Sequence, residues 1–161
     1  MKNSKEGITK EIERKFLLKS IPPDIASADG QLIYQGYLPG EFYSVRVRIV
    51  NGVKAYLTSK GPQVGITREE NEVEVSVAAA KLLLGAFTYP LIIKTRYILF
   101  HDNVMWSVDH IIDADKNELW IAEVELKSED QEISIPDWVD REVTHDKNYY
   151  SEIIALRAFE A

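Results

Sequence analysis

Polar and apolar residues alternate along several stretches of the chain, and a period of two is typical of strands that bury one face. The first stretch covers residues 8–19, where Glu11, Glu13 and Lys15 share one face. Ile12 lies on the opposite face, which can meet an apolar core. Two carboxylates and an ammonium in one row suit a cation held beside an anion, although three charges on one strand are more often a solvated face.

The strongest local signal is a hairpin. Between residues 42 and 50, arginines alternate with valine and isoleucine. Asn51-Gly52 follows, and this dipeptide favours the tight turn between antiparallel strands. Residues 53–60 alternate again and predict the returning strand.

The remaining elements come from the same patterns. Further strands are predicted at residues 31–38, 66–77, 91–101, 104–112 and 119–127, helices at 78–86, 136–141 and 149–159, and a short helix or loop at 22–29. About eight strands joined mostly by short turns favour antiparallel neighbours, and eight such strands can close into a barrel without exposed edges. The predicted fold class is α+β, mainly β: an eight-stranded antiparallel closed barrel, or tunnel, with a charged interior and helices packed outside.

The charged strand faces are expected to point inward, because the apolar faces can pack against the helices. The expected interior acids are Glu11, Glu13, Glu70, Glu72, Glu74, Asp109, Glu123 and Glu125. The expected interior bases are Lys15, Arg46, Arg48, Lys54, Lys60, Arg68, Lys94, Arg96 and Lys127. An enclosed charge is tolerated when it is paired or bound to an ion, so these rows need either partners or ligands.

Two interpretations of the charged rows compete. A lattice of structural salt bridges is possible because acids and bases are nearly balanced, but such a lattice would mix signs along each strand. Several strands instead carry one sign, as in the arginine pair at 46 and 48 and the three glutamates at 70, 72 and 74. Glu-x-Glu pairs offer the hard oxygen ligands that Mg²⁺ or Mn²⁺ prefers, and arginine and lysine rows suit a polyphosphate. We favour a site for a divalent metal and a polyphosphate.

Composition narrows the class without naming a function. The chain has 161 residues, a size that suits one domain spanning 1–161. Its formal net charge of −7 argues against nonspecific binding to nucleic acid or to an acidic membrane. The absence of cysteine excludes disulfides and thiolate sites and fits a cytoplasmic location. No targeting segment is apparent at the start of the chain, and the longest apolar run falls short of the ~20 residues that a membrane span requires.

At this point the motifs resemble a known family. The run Glu11 to Leu17 is similar to the ExExK signature of the CYTH, or triphosphate tunnel metalloenzyme, superfamily. The similarity continues in order through Gln35-Gly36-Tyr37-Leu38, Val45 to Arg48, Leu57 to Gly61, Arg68-x-Glu70-x-Glu72, Lys94 to Tyr97, Val108-Asp109 and Glu123 to Leu126. It covers the chain from residue 11 to about 150 and is closest to the short bacterial inorganic triphosphatases.

The resemblance implies a reaction and a set of roles. The reaction would be hydrolysis of a triphosphate with Mg²⁺ or Mn²⁺. The implied metal ligands are Glu13, Glu123 and Glu125, with Glu11, Glu70, Glu72 and Asp109 in supporting or second-metal roles. The implied phosphate-binding residues are Arg46, Arg48, Lys60, Lys94 and Arg96. Lys15 and Tyr37 match a proposed base dyad of the short bacterial members; neighbouring cations would have to lower the pKa of Lys15, and nearby glutamates oppose that change.

Several alternatives stay open at the level of sequence. Some members of the superfamily are adenylyl cyclases or thiamine triphosphatases, and a nucleoside triphosphatase or a non-catalytic polyphosphate-binding module would share the same motifs. A His-Phe pair ahead of the first strand, which cyclase members tend to carry, is absent. Ser107 stands where relatives often carry an acid, and the segment after Lys147, where a helical plug at one tunnel mouth would lie, is less typical of the family. The expected partner is a small triphosphate substrate, with no nucleic acid, no membrane, and a monomeric or homodimeric state.

Overall fold

The computed structural model describes residues 8–38, 40, 43–87, 91–112, 116–151 and 153–155. In chain order, the strands are β1 (Ile8–Leu18), β2 (Gln31–Leu38), β3 (Ser44–Val50), β4 (Lys54–Lys60), β5 (Thr67–Val75), β6 (Ile92–His101), β7 (Val104–Ile112), β8 (Glu118–Glu125) and β9 (Val139–Glu142). Helix α1 covers Val77–Ala86, and two 3₁₀ helices cover Pro23–Ser27 and Lys147–Tyr149. The predicted strands are confirmed, with ends that move by up to two residues.

Eight of the strands close into a barrel. The order β5-β4-β3-β2-β6-β7-β8-β1 is antiparallel throughout, and β1 returns to pair with β5. A single long strand serves both neighbours, because residues 8–12 of β1 pair with β5 and residues 13–17 pair with β8. The closed antiparallel barrel predicted from the alternation is therefore confirmed.

The helix predicted at residues 136–141 is wrong. One turn does form there, since the Val139 N–H donates to the Pro136 carbonyl at 3.1 Å, but β9 follows and pairs with β1. The Val143 N–H then donates to the Lys15 carbonyl at 2.8 Å. Without this segment, the edge of β1 that pairs with β5 would have unpaired backbone groups beyond Glu13. Satisfying them outweighs the weak helical preference of so short a segment.

Helix α1 packs outside the barrel, as predicted. It begins at Ser76, whose hydroxyl accepts a hydrogen bond from the Ala79 N–H at 3.1 Å. It covers the apolar face of β3 and β4, where Val47 and Ala55 are fully buried. Its last turn comes so close to β2 that a Cβ at Gly36 would lie 2.7 Å from the end of the Leu84 side chain, so a larger residue here would have to displace Leu84.

A different apolar cluster fills one end of the barrel interior. Ile92, Ile111 and Ile121 point inward beyond the charged residues of β6, β7 and β8, and they pack against Ile154 and Ala155. The last two belong to a helical turn that starts after Tyr150, whose carbonyl accepts the Ile154 N–H at 2.9 Å. The described part of the helix predicted at 149–159 therefore plugs this end, and residues 156–159 lie outside the described residues. No helix in the described part of the chain is long and apolar enough to cross a membrane.

Candidate active site

The charged strand faces meet inside the barrel and enclose two adjoining cavities of about 220 and about 70 Å³. Both cavities are lined by Glu11, Glu13, Arg46, Arg48, Lys60, Arg96 and Glu123. The larger one adds Glu70, Glu72 and Glu125, and the smaller one adds Lys15, Tyr37, Arg68 and Lys94. Every site residue predicted from the sequence therefore lines a cavity, except Asp109, which lies behind Lys94 and Arg96.

Three residues expected inside lie at the ends of the barrel instead. Lys54 begins β4, Glu74 lies near the end of β5, and Lys127 follows the last residue of β8. All three are exposed and line neither cavity. Alternation predicts the face on which a residue lies, but the length of the lumen decides how far along the strand that face is enclosed.

The lumen has two walls of opposite sign, because strands of like charge are neighbours in the barrel. We call Glu11 and Glu13 of β1, Glu70 and Glu72 of β5, and Glu123 and Glu125 of β8 the acidic wall. We call Arg46 and Arg48 of β3 and Lys94 and Arg96 of β6 the basic wall; β2 joins these two strands. Lys60 of β4 stands between the walls.

Asp109 anchors half of the basic wall. Its carboxylate accepts a hydrogen bond from Lys94 Nζ at 2.7 Å and two from the Arg96 guanidinium, at 2.7 and 2.8 Å. Burial alone would raise the pKa of Asp109, but the charges of Lys94 and Arg96 hold that pKa below its usual range. Burial lowers the pKa of Lys94 to about 7 although Asp109 opposes the change. The protein thus fixes both cations in place with one carboxylate.

The other half of the basic wall is held by neutral groups. Arg48 Nε donates to the Gln35 side-chain oxygen at 2.9 Å, and Gln35 Nε2 donates to the Tyr37 hydroxyl at 2.8 Å. Burial, with the charges of Arg46 and Arg96, lowers the pKa of Arg48 to about 10, so Arg48 stays protonated at neutral pH. Gln35 is fully buried, and both the oxygen and the nitrogen of its amide are hydrogen-bonded.

Arg46 has a buried donor that no described residue satisfies. Its guanidinium makes only long contacts through Nη2, to the Thr58 hydroxyl at 3.3 Å and to Glu72 at 3.4 Å. Its Nε is buried, and the described residues give it no hydrogen-bond partner. Because buried donors are almost always paired in folded proteins, this atom is a candidate contact for an acceptor on a bound ligand.

The acidic wall contains more negative charge than its surroundings compensate. Burial raises the pKa of Glu13 to about 8, helped by the charges of Glu123 and Glu11. Burial and the hydrogen bond with Glu11 raise the pKa of Glu70 to about 7. Glu11 itself is pushed upward by burial, but that hydrogen bond and Lys60, 3.1 Å away, lower its pKa to about 2.

Glu123 and Lys15 lie where the walls meet. Lys15 Nζ is 3.6 Å from Glu123 and donates to the Tyr149 carbonyl at 3.1 Å. Burial would raise the pKa of Glu123, but the charges of Lys15 and Arg96 outweigh it and lower the pKa to about 2. Lys15 and Tyr37, the pair expected to act as a base dyad, line the same small cavity.

The acidic wall has the donor chemistry of a site for a hard divalent cation. Glu13 and Glu125 are direct cross-strand partners, and like charges in that position are destabilising unless something lies between them. In the described part of the chain, no three acidic or histidine side chains already converge on a single point. Mg²⁺ does not need such a cage, because it keeps several waters and binds through one or two carboxylates together with substrate phosphates. The residues present therefore fit this class of metal.

Sequence reasoning passed over several residues of the site. The sequence pattern assigns no role to Gln35 or to Thr58, although Gln35 accepts a hydrogen bond from Arg48 and Thr58 accepts one from Arg46. Thr144 and Tyr150 also line the small cavity, although they lie in the C-terminal segment. No local pattern identifies them, because the segment that carries them, between β9 and the plug, is brought to the lumen by the long-range pairing of β9 with β1.

Comparison with known proteins shows the family of this chain. Residues 9–155 match the CYTH domain. An inorganic triphosphatase of Acetivibrio thermocellus is 40% identical over 145 residues, which is 87% of this chain and 89% of that protein. An inorganic triphosphatase of Nitrosomonas europaea is 33% identical over 154 residues, 91% of this chain and 97% of that protein.

Solved structures share the architecture. A crystal structure of an inorganic triphosphatase superposes with a TM-score of 0.65 at 30% identity and covers 91% of this chain and 94% of its own. A putative adenylate cyclase of Bacillus halodurans superposes with a TM-score of 0.59 over 76% of this chain and 83% of its own. At 18% identity the second comparison speaks for the fold alone.

Proposed function

Because the chain belongs to the CYTH domain family, we propose that it is a triphosphatase that hydrolyses inorganic tripolyphosphate to pyrophosphate and phosphate with a divalent metal ion. The two inorganic triphosphatases that resemble it along nearly their whole length support the hydrolase class. The assignments of the substrate and of the metal are based on the residues that line the lumen of this chain.

The observation that carries the proposal is the buried Nε of Arg46, which has no partner among the described residues. It lies in a wall whose other cations are held rigidly by Asp109 and Gln35. Arginine presents several donors in a fixed plane and pairs well with phosphate oxygens. A chain of phosphates along the basic wall would give Arg46 its missing acceptor and would use Arg48, Lys60, Lys94 and Arg96 as further donors.

The acidic wall supplies the complementary part. Glu13, Glu123 and Glu125 would hold Mg²⁺ or Mn²⁺, with support from Glu11, Glu70 and Glu72. Asp109, which the resemblance also assigned to the metal, would instead position the basic wall, because Lys94 and Arg96 occupy its oxygens. When bound, such a cation neutralises charge on the phosphate oxygens and favours ionisation of the attacking water. Deprotonated carboxylates are needed for this, so a bound cation would counter the mutual repulsion that raises the pKa of Glu13.

The chain's own residues handle position and protons. The fixed guanidinium of Arg96 and the ammonium of Lys94 would orient the phosphates, and phosphoryl transfer depends mainly on such positioning and on charge stabilisation. Lys15 and Tyr37 border the small cavity and are the groups we assign to moving the proton of the attacking water. The apolar plug around Ile154 keeps bulk water from that end of the lumen.

The test is a hydrolysis assay of the full chain with tripolyphosphate, ATP and thiamine triphosphate, with Mg²⁺, with Mn²⁺ or with excess EDTA. We expect tripolyphosphate to yield equal amounts of pyrophosphate and phosphate, only when metal is present, and faster than either organic substrate. Full turnover in EDTA would overturn the metal assignment. Cyclic AMP as the main product from ATP would overturn the triphosphatase assignment.

A further inference from the structure

Gln35 is fully buried beside the lumen and connects a residue of the basic wall to the proposed base dyad. Arg48 Nε–H can only donate, so the amide atom that faces it has to be the oxygen of Gln35. This contact fixes the orientation of the amide. The amide nitrogen then faces the Tyr37 hydroxyl at 2.8 Å, and an amide nitrogen can only donate.

The direction of these bonds has a consequence for Tyr37. Its oxygen accepts the hydrogen bond from Gln35, so the phenol proton has to point elsewhere. Tyr37 is almost fully buried and lines the small cavity that Lys15 also lines. The phenol proton of Tyr37 is therefore available for donation into the lumen. Successive donation from Arg48 through Gln35 also polarises the phenol, because hydrogen bonds in a chain strengthen one another.

We propose that Gln35 is a positioning residue of this site: it fixes Tyr37 as a hydrogen-bond donor into the lumen, towards the bound phosphate. The inference rests on the proposed function. Gln35 does not touch the reacting atoms; it acts through Tyr37. In this arrangement Tyr37 acts within the dyad as a hydrogen-bond donor to the lumen rather than as an acceptor.

Two substitutions at position 35 separate this role from simple support of Arg48. Gln35→Glu keeps an acceptor for Arg48 but accepts the phenol proton, so Tyr37 turns away from the lumen. Gln35→Met has a similar size, removes both contacts and leaves the Tyr37 hydroxyl free to rotate. Losing one preorganised donor costs about 10²–10³ in kcat. We expect kcat to fall in the order wild type, Gln35→Met, Gln35→Glu.

Support of Arg48 alone predicts the opposite order. Gln35→Glu would be the milder variant because it gives the guanidinium a charged partner, whereas Gln35→Met leaves it without one. A kcat for Gln35→Glu equal to or above that of Gln35→Met would therefore overturn the proposal. Melting temperatures of each variant identify any loss that comes from unfolding.

A double-mutant cycle with Tyr37→Phe isolates the contact. We expect Tyr37→Phe to lower kcat about 100-fold in the wild type and less than about threefold in Gln35→Glu, where the phenol no longer serves the lumen. Equal factors in both backgrounds would overturn the proposal. If Gln35→Glu does not fold, the same cycle is run with Gln35→Met, where the expected effect of Tyr37→Phe lies between those two values.

Binding measured without metal keeps this inference distinct from the proposed function. Calorimetry with tripolyphosphate in EDTA should show that Tyr37→Phe weakens binding by about twofold to tenfold in the wild type and leaves it unchanged in Gln35→Glu. If the wild type binds tripolyphosphate but does not cleave it with metal, the triphosphatase proposal fails while this cycle still decides the role of Gln35. Additive effects in an active enzyme would overturn the role of Gln35 alone.

Discussion

The two walls of the lumen treat buried charge differently. On the basic wall the protein supplies most of the compensation, since Asp109 fixes Lys94 and Arg96 and a neutral amide satisfies Arg48. The acidic wall has mutual repulsion instead, and burial together with neighbouring carboxylates raises the pKa of Glu13. The cations of the basic wall are thus held in fixed positions, whereas the carboxylates of the acidic wall have too little positive charge nearby to balance them.

This difference between the walls indicates which kind of ligand each wall binds. A rigid array of donors loses little entropy when an anion binds, and the spare donor on Arg46 shows that the array is incomplete. Carboxylates that resist joint ionisation gain most from a cation placed among them. The ion pairs that join the two walls are long, 3.4 Å from Arg46 to Glu72 and 3.7 Å from Arg96 to Glu123. A structural salt-bridge lattice would pair the walls more closely and would not leave Glu13 and Glu125 facing each other across strands.

The largest expected effect is on the acidic wall. Glu123→Gln keeps the shape of the side chain but removes the charge that a hard cation requires and the partner of Lys15, 3.6 Å away. We expect kcat to fall at least about 100-fold and the metal concentration needed for half activity to rise, because this charge acts mainly in the transition state.

Steady-state kinetics against substrate and metal measure this effect. Glu118→Gln is the matched control: it makes the same change on the same strand, at an exposed residue outside both cavities. It should leave kcat and the metal requirement unchanged. A change confined to KM in Glu123→Gln would contradict the assignment of Glu123 to the metal.

The basic wall should respond in KM. Arg46→Ala removes a phosphate donor that acts in both the ground state and the transition state, so KM should rise with little change in kcat. A charge-assisted hydrogen bond is worth about 1.5–3 kcal/mol, which corresponds to a tenfold to hundredfold rise. Lys54→Ala, an exposed base at the start of β4, is the control. A large loss of stability with normal kinetics per folded molecule would favour a structural role for Arg46.

Much of this contrast could be read from the sequence, because alternation is a local property. The alternation along β1, β3, β5 and β8 predicts the face on which each charged residue lies. The Asn51-Gly52 dipeptide predicts the hairpin, and both residues have the positive φ angles that its tight turn requires, 52° and 70°. Single-signed strands also predicted separate binding sites for a cation and an anion, and the structure places those strands on separate walls.

Features that depend on distant pairing could not be read in this way. β9 pairs with the part of the β1 edge that extends beyond β5, and no pattern within residues 136–142 predicts this strand. Asp109 belongs to an inward row, yet only the packing of β6 against β7 shows that its oxygens are occupied by Lys94 and Arg96. The role of Gln35 becomes apparent only from its hydrogen bond with Arg48 on the adjacent strand.

The smallest expected effect concerns stability without metal. The folded state raises the pKa of Glu13 to about 8 and that of Glu70 to about 7, so between about pH 5 and pH 7 it binds more protons there than the unfolded chain does. Stability then falls as pH rises through this window. Glu11 and Glu123, with pKa values lowered to about 2, act below it, where stability is lost as pH falls. Lys94, with its pKa lowered to about 7, acts above it with the opposite slope.

Glu13→Gln should flatten this dependence, because the neutral amide has no proton to lose. In EDTA we expect the melting temperature of the wild type to fall by a few degrees from pH 5 to pH 7, at about 2–4 °C per kcal/mol for a chain of this size, and that of Glu13→Gln to fall less. Mg²⁺ at millimolar concentration should raise the melting temperature of the wild type most at pH 8, where the acidic wall is most fully ionised, and should do less for Glu13→Gln. Glu118→Gln again serves as the control. Identical pH profiles for wild type and Glu13→Gln would mean that the acidic wall is already compensated without metal, and the contrast between the two walls would not hold.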